Sequence, residues 1–452
     1  MKEGISHKML SMLCVFTAWT CIGIGGESRV FAVEKNIYQE IKTFNEVLNV
    51  VERHYVEKVD PQTLIQGAID GMMKSLDPHS AFMTADVYQE LEVDTKGSFG
   101  GIGTEITILK DVLTVVAPIE DTPAFHAGIK AGDQIIRIDG KSTKDINIIE
   151  AVKKLRGPKD TKVTLTIMRE NAAKPLEFTI TRTIINIRSV RSKVYDDHIG
   201  YIRVSSFQER TGDDLKNAVI DMNAKAKPLK GLILDLRNNP GGLLTQAVEV
   251  SDAFMTSGLI VSTKGRQKSS ETKFSARDDG YEPACPIIVL VNEGTASASE
   301  IVSGALQDNR RGIVLGAKTF GKGSVQTVIP LEDGTALKLT TAKYYTPRGR
   351  SIQAEGIVPD IVIKQANNAI DKDTPGQVIR EKDLEGHIKK EQTKEREDQP
   401  KKELDDLQSD NQLKSAIDIL KSWEIFKKVS FSDVDTPSTN RNKMQSKNST
   451  VK

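Results

Sequence analysis

In GAKTFGKGSVQ, residues 316–326, Gly316, four intervening residues, Gly321 and Lys322 reproduce all but the last position of a phosphate-cradling P-loop. Such a loop needs a Ser or Thr directly after the lysine to hold magnesium, and a helix whose first amides face the phosphates. Gly323 takes that place, and the following SVQTVIPLEDGTALKLTTAKYY has the β-branched richness and the Asp333-Gly334 turn of a hairpin. The lysine therefore needs another function. A lysine side chain has a reference pKa of about 10.4 and accepts protons near neutrality when burial in an apolar site lowers it. Lys322, flanked by Phe320, Gly321, Gly323 and Val325, suits such a buried amine, and Lys318 is its rival.

A proton acceptor calls for a nucleophile, and one turn offers serines. After the apolar run Ile287 to Val291 comes NEGTASASE, which leads into the helical pattern Ile301, Val302, Ala305, Leu306. A serine here stands at a helix N-terminus, where a neighbouring amide and the helix dipole favour a developing oxyanion. Thr295, Ser297 and Ser299 read equally as capping residues, the commoner role for serine in such a turn. A second turn, Arg237 to Gly242 (RNNPGG), could present glycine amides as oxyanion donors, although close packing also accounts for its glycines. The histidines give no base. His7 lies in the N-terminal segment, His54 and His79 in a helical lead, and His126 and His387 outside the candidate core. His198 precedes a strand and reads as a surface residue. There is neither a GxSxG elbow nor an HExxH zinc motif.

These turns need a scaffold. IGYIRVSSF, LKGLILDLRNNPGG, PIIVLVNEGTASASE and RRGIVLGAKTFG are each an apolar strand run into a glycine-rich turn, mostly followed by a helical pattern. That indicates a largely parallel sheet buried on both faces, with chemistry at the carboxyl ends of its strands. Upstream, GSFGGIGTEI, LTVVAPIEDTPAFHAGIKAGDQIIRIDGKS, INIIEAVKKLRG and TKVTLTIMRE alternate strands with a short and a longer helix. This span resembles a PDZ domain, most specifically in AGIKAGDQIIRIDG, residues 127–140. Such a domain adds a peptide to a sheet edge while backbone amides receive its terminal carboxylate. By that resemblance Gly100, Gly101, Ile102 and Gly103 form the carboxylate loop.

The ends are less specific. Lys2 and Lys8 precede the uncharged run Met9 to Gly26, and Val30-Phe31-Ala32 offers a signal peptidase site. This pattern predicts export, with cleavage after Ala32 or retention of the run as a membrane anchor. Cleavage would leave Cys285 as the only cysteine, a core residue with no disulfide partner. Ile37, Ile41, Phe44, Leu48, Val51 and Tyr55 form a narrow apolar stripe, to be covered within the chain or by a second copy. Asp60 and Pro61 open a second helix. Residues 366–412 are dense in charge with too few apolar residues for a core. Leu413, Ile417 and Leu420 suggest one further helix, and residues 430–452 read as disordered. A net charge of +1 on 452 residues argues against nucleic acid as a main partner.

From about residue 40 to 365 the chain resembles the C-terminal processing peptidases, or tail-specific proteases, in which a PDZ domain precedes a serine-lysine core. LDPHSAFM, the PDZ span, LDLRNNPGG, NEGTASASEI, TFGKGSVQ and YYTPRGRSIQAEGIVPD carry the resemblance in the family's order, with no motif missing. It implies an α/β core of crotonase/ClpP-like type with an inserted PDZ domain and helical N- and C-terminal extensions. It implies Ser297 as nucleophile, Lys322 as general base, Gln326 holding the lysine, and an oxyanion hole from the amides of Ala298 and Gly241. The expected divisions are 1–32 (signal or anchor), 33–95 (helical, with possible dimerisation), 96–183 (PDZ), 184–365 (protease core) and 366–452 (charged extension). The expected partners are proteins or peptides with free C-termini and a second copy of the chain. No metal or other cofactor is required, and the location is the periplasm or the outer face of the membrane. Arg156 either couples the PDZ domain to the core in a regulatory role or is a solvated charge. A non-catalytic PDZ scaffold or chaperone on a protease-derived core is the competing function. An acyl-CoA-binding enzyme shares the turn geometry, but the PDZ span and the lysine argue against it.

Overall fold

The computed structural model describes residues 28–170, 172–195, 198–226, 228–365, 380–384 and 410–428. The apolar run Met9 to Gly26 and the tail after residue 428 lie outside them. The chain divides into two bodies, one ending at Leu76 and one beginning at Asp77.

The first body holds α1 (Ser28–His54) and α2 (Pro61–Lys74). Asp60 caps α2 by accepting from the Gln62 N–H at 3.3 Å, with Pro61 at the first helical position. Along α1, Ile37, Ile41 and Phe44 are exposed. Among the described residues no helix is long and apolar enough to cross a membrane.

The second body begins with β1 (Ala81–Met83), α3 (Ala85–Lys96) and β2 (Ser98–Gly101). A PDZ unit follows: β3 (Thr104–Leu109), β4 (Val112–Pro118), α4 (Pro123–His126), β5 (Gln134–Ile138), β6 (Lys141–Ser142), α5 (Ile148–Leu155), β7 (Lys162–Met168) and β8 (Leu176–Thr181). Its sheet runs β3-β4-β5-β7-β8, with β6 beside β5. The alternating apolar residues of these strands meet Ala151 and Leu155 of α5 in a core of their own. β9 (Thr183–Asn186) pairs antiparallel with β2, and the Ile187 N–H donates to the Gly97 carbonyl at 2.8 Å. The PDZ unit thus leaves the chain and rejoins it at one point.

α3 braces this insertion. Lys153 and Arg156, at the end of α5, pair with Asp86 and Glu90 of α3 at 2.6 Å each, and the Arg156 guanidinium lies 4.5 Å from the Phe99 ring centre. At its other end α3 accepts a hydrogen bond from the core, Glu209 N–H to the Thr95 carbonyl at 3.0 Å. Arg156 is therefore not a free surface charge. Half-exposed pairs of this kind contribute about 0.2–1 kcal/mol each, so they orient the domain more than they stabilise it.

The core comprises β10 (Val190–Tyr195), β11 (Ile199–Val204), α6 (Thr211–Ala226), β12 (Gly231–Asp235), α7 (Leu244–Asp252), β13 (Leu259–Gly265), a 3-10 turn Lys268–Ser270, β14 (Glu271–Ser275), β15 (Ile287–Val291), α8 (Ala298–Asp308), β16 (Gly312–Gly316), β17 (Ser324–Pro330), β18 (Ala336–Tyr345), β19 (Ile361–Val362), a second 3-10 turn Glu381–Asp383 and α9 (Asn411–Lys428). One sheet runs β10-β11-β12-β15-β16-β19, parallel except for β10. β12 and β15 are buried at every position, as a parallel sheet covered on both faces requires. Residues of α6, α7 and α8 fill one face. Leu413, Ala416, Ile417 and Leu420 of α9 cover the other, against Ile233, Ile288, Leu290 and Leu315. The C-terminal extension therefore completes the core, which its charge-dense composition did not suggest. Asp410 and Gln412 anchor α9 by accepting from the Arg237 guanidinium at 2.7–3.1 Å.

A second sheet, β1-β18-β13-β14, carries β17 on β18. The β17–β18 hairpin turns at Asp333-Gly334, where Asp333 accepts from Thr335. β1 is a departure from the all-helical reading of residues 33–95: it pairs with Ala336 to Lys338 of β18.

Candidate active site

The turns after β12 and β15 are stitched together. Asn238 and Asn292 exchange hydrogen bonds of 2.8 Å, Thr295 Oγ1 donates to the Leu236 carbonyl at 2.9 Å, and the Ala296 N–H and Ser299 Oγ both donate to the Asn239 carbonyl at 3.0 Å. This stitching holds Ser297 at the start of α8 with φ 56° and ψ −115°. A helix cap ordinarily takes an extended conformation, and a non-glycine residue in this region is strained. Ser297 thus departs from the ordinary capping geometry. The next amide, Ala298 N–H, has no hydrogen-bond partner among the described residues and belongs to the first turn of α8.

Gly241 sits against this serine. A Cβ at Gly241 would lie 2.8 Å from Ser297 Cβ and 3.0 Å from the Ala298 nitrogen, and its φ of +104° excludes ordinary side chains. Its own N–H donates to Asn239 Oδ1 at 2.9 Å, so this amide is engaged. If Ser297 is the nucleophile that the motifs imply, Gly241→Ala is expected to lower kcat by about 100-fold or more, because the methyl group must displace the serine. Peptide cleavage by a variant shown to be folded checks this.

One buried carboxylate ties the serine to the lysine. Glu300, in the first turn of α8, accepts from the Ser297 N–H at 2.8 Å and the Lys322 N–H at 2.9 Å on the same oxygen, Oε2. Its other oxygen accepts from Thr319 Oγ1 at 2.5 Å and the Gly321 N–H at 2.8 Å. Burial pushes the Glu300 carboxyl up to about 7, against these hydrogen bonds, which favour the charged form. The Lys322 side chain is held below the ordinary lysine range, first by burial and then by the Lys338 charge, while Glu381, Asp77 and Glu300 act in the opposite sense. Lys318 is also lowered, by burial and by Arg380 and Lys382. It lacks the backbone link to Ser297.

The Gln326 amide donates to Ser324 Oγ at 3.0 Å and Thr340 Oγ1 at 3.3 Å, with no hydrogen bond to Lys322 among the described residues. Thr340 in turn donates to Asp77 Oδ1 at 3.1 Å, knitting the LDPHS loop to the hairpin. Burial alone would raise the Asp77 carboxyl, but hydrogen bonds from Ser80, His79 and Thr340 prevail and hold it below its usual range. His79, read from sequence as part of a helical lead, lies in this loop with Nε2 at 2.7 and 2.8 Å from the two Glu381 oxygens. The Tyr344 hydroxyl is buried without a hydrogen bond of good geometry. Burial and the Glu300 charge raise its pKa, and the Ser297 side chain opposes them. His198 precedes β11, at the opposite end of the parallel strands from Ser297, and is half-buried with an unpartnered Nδ1. It is neither a base nor an open surface residue. Cys285 is a buried free thiol. Among the described residues no group of three or more His, Cys, Asp or Glu side chains could hold a metal ion.

In the PDZ unit, Gly100 and Gly101 belong to β2 and pair with β9, so only Ile102 and Gly103 form the turn into β3. The amides of these two residues make no hydrogen bond among the described residues, while their carbonyls accept from Ala124, and from Ile119 and Thr122. β3 is an edge strand beside α5.

Residues 198–363 match the model of peptidase family S41, residues 114–169 that of a PDZ domain, and residues 26–87 that of the activating protease CtpB N-terminal domain. The chain is 48% identical over 360 residues to the carboxy-terminal-processing protease of Bartonella bacilliformis, an alignment covering 79% of this chain and 82% of the relative. The chain belongs to the carboxy-terminal-processing protease family. Another family member, carboxy-terminal processing protease CtpA of Bacillus subtilis, is 38% identical over 318 residues, covering 70% of this chain and 67% of CtpA. Among solved structures, the photosystem II D1 C-terminal processing protease is 30% identical with a TM-score of 0.42, covering 71% of this chain and 92% of that one. As a family member the chain combines the S41 peptidase fold with a PDZ domain, the class of architecture expected from its motifs.

Proposed function

We propose that this chain is an exported serine endopeptidase that captures protein C-termini on its PDZ domain and cleaves near them with Ser297 and Lys322. The observation that carries this reading is the single Glu300 oxygen that accepts from the backbone amides of both residues. Neutral Lys322 Nζ takes the proton of Ser297 Oγ as that oxygen attacks a peptide carbonyl. The carbonyl oxygen gains negative charge and receives the Ala298 N–H at the start of α8, where the helix dipole favours it. Gly241 supplies the second donor by sharing its N–H between Asn239 Oδ1 and the oxyanion. The lysine ammonium then protonates the leaving amine, and water attacks the acyl-enzyme with the neutral lysine again acting as base. Gln326 of β17, four residues after Lys322, holds the lysine in place.

The free amides of Ile102 and Gly103 support carboxylate capture, with the peptide tail adding to the edge of β3 beside α5. A substrate with a free C-terminus is therefore expected to be cut several-fold faster than its amidated twin at concentrations well below saturation. Deleting residues 102–182, whose flanking residues Gly101 and Thr183 already pair in the β2–β9 stem, should remove this preference. Competition assays with paired peptides check both outcomes, and equal cleavage by the intact protein rules out tail recognition while sparing the serine-lysine chemistry.

The N-terminal apolar run directs the protein across the membrane, to the periplasm or the extracytoplasmic face of the cell membrane. The exposed stripe of α1 supports pairing with a second copy. Ile41→Glu together with Phe44→Glu is expected to convert a dimer into monomers, as read by sedimentation.

A further inference from the structure

Glu381 comes from a stretch of the C-terminal extension that is dense in charge, yet its carboxylate is completely buried. Desolvating a carboxylate is costly unless its partners are well placed. Here they are: His79 Nε2 reaches both oxygens, and Gln353 Nε2 donates to Oε1 at 2.7 Å. Both partners are themselves held. The His79 N–H donates to Asp77 Oδ1 at 2.8 Å, and Gln353 Oε1 accepts from the Gly323 N–H at 2.9 Å. The Glu381 N–H also reaches the Phe320 carbonyl, at 3.4 Å. Phe320 and Gly323 bracket Lys322.

Resting on the serine-lysine reading, we infer that Glu381 is a positioning residue that the C-terminal extension contributes to the peptidase site. It holds the backbone on both sides of Lys322 through Phe320 and Gln353, and it ties that loop to the LDPHS loop through His79. Its negative charge also acts on the lysine. Of the charged groups around Lys322, Lys338 of β18 favours the neutral amine, whereas Glu381, Asp77 before β1 and Glu300 of α8 favour the ammonium. Removing the Glu381 charge without disturbing its contacts therefore makes Lys322 easier to deprotonate.

The test uses the full-length protein and a peptide with a free C-terminus. Glu381→Ala is expected to lower kcat about tenfold or more with KM within about twofold, since loop position and not substrate capture is lost. Glu381→Gln keeps a hydrogen bond to Gln353 and can donate to the other tautomer of His79. It should retain kcat at its plateau within about threefold and move the acid limb of the pH–rate profile to lower pH. A purely structural staple would not shift that limb. Wild-type kcat in a folded Glu381→Ala overturns the inference. Should that variant fail to fold, an unshifted acid limb in Glu381→Gln overturns it instead. Lys322→Ala, assayed in parallel, separates the two readings. If it is silent while the Glu381 variants behave as wild type, only this inference falls; if it is active, the lysine assignment falls and takes the inference with it.

Discussion

Ser297→Ala and Lys322→Ala should each lower kcat/KM by about 10⁴-fold or more while leaving the melting temperature unchanged, because each removes a step the other cannot replace. Lys318→Ala should stay within about threefold of wild type. A lowered pKa does not separate the two lysines, since burial depresses both. The separation is positional: only Lys322 shares a carboxylate oxygen with the backbone of Ser297. The wild-type profile should also report the lysine. In the proposed mechanism the reacting lysine must be neutral, so kcat/KM is expected to rise with pH, with its acid limb below the ordinary lysine value of about 10.4. Full activity in Lys322→Ala together with loss in Lys318→Ala would reverse the assignment.

The second large effect is expected at Glu300. Glu300→Ala strands four donors in a buried site, and an unmet buried donor costs about 1–3 kcal/mol, so several kcal/mol of stability should be lost. Glu300→Gln preserves the volume but offers one acceptor oxygen in place of two. Its amide group must face N–H donors on the other side, and kcat should fall by about 100-fold or more. Thermal melts against pH then test the protonation of the clamp. The folded-state value of about 7 exceeds the roughly 4.3 of an unfolded glutamate, so the folded protein binds this proton more tightly. The associated stability is fully present below the unfolded value and is lost as pH rises through the folded one. Glu300→Gln has no such proton. The melting temperature of wild type relative to Glu300→Gln should therefore decline between about pH 4 and pH 7 and level off above that. A rising difference would mean that the hydrogen bonds, and not burial, dominate.

What sequence could reveal depended on how local the cause was. The β17–β18 hairpin was legible because Asp333-Gly334 sets its turn within a few residues. Ser297 and Lys322 were legible as candidates because glycine-rich turns after apolar strands mark where such sheets expose their chemistry, although only the family motifs ranked them above Ser299 and Lys318. β1 was not legible, since three residues have no period of their own and owe their extended form to β18. Glu300 drew no separate reading in the sequence; its role depends on Thr319, Gly321 and Lys322, which no spacing rule joins to it. Asp410 and Glu381 were hidden in the same way. Their partners Arg237 and His79 are far away in the chain, and the surrounding composition pointed to solvent. The apolar spacing of Leu413, Ile417 and Leu420 did reveal α9, because amphipathic periodicity survives in a charged neighbourhood.

The contact between Gly97 and Ile187 has an evolutionary meaning. For the catalytic core, everything between these residues is a loop whose ends are already closed, and the entropy of closing a loop depends only weakly on its length. A lineage could therefore exchange, shorten or enlarge the peptide-reading module without refolding the machinery that cuts, provided the two-stranded stem of β2 and β9 is kept. Under the proposed function, what this protein reads and how it cuts would be separable in inheritance.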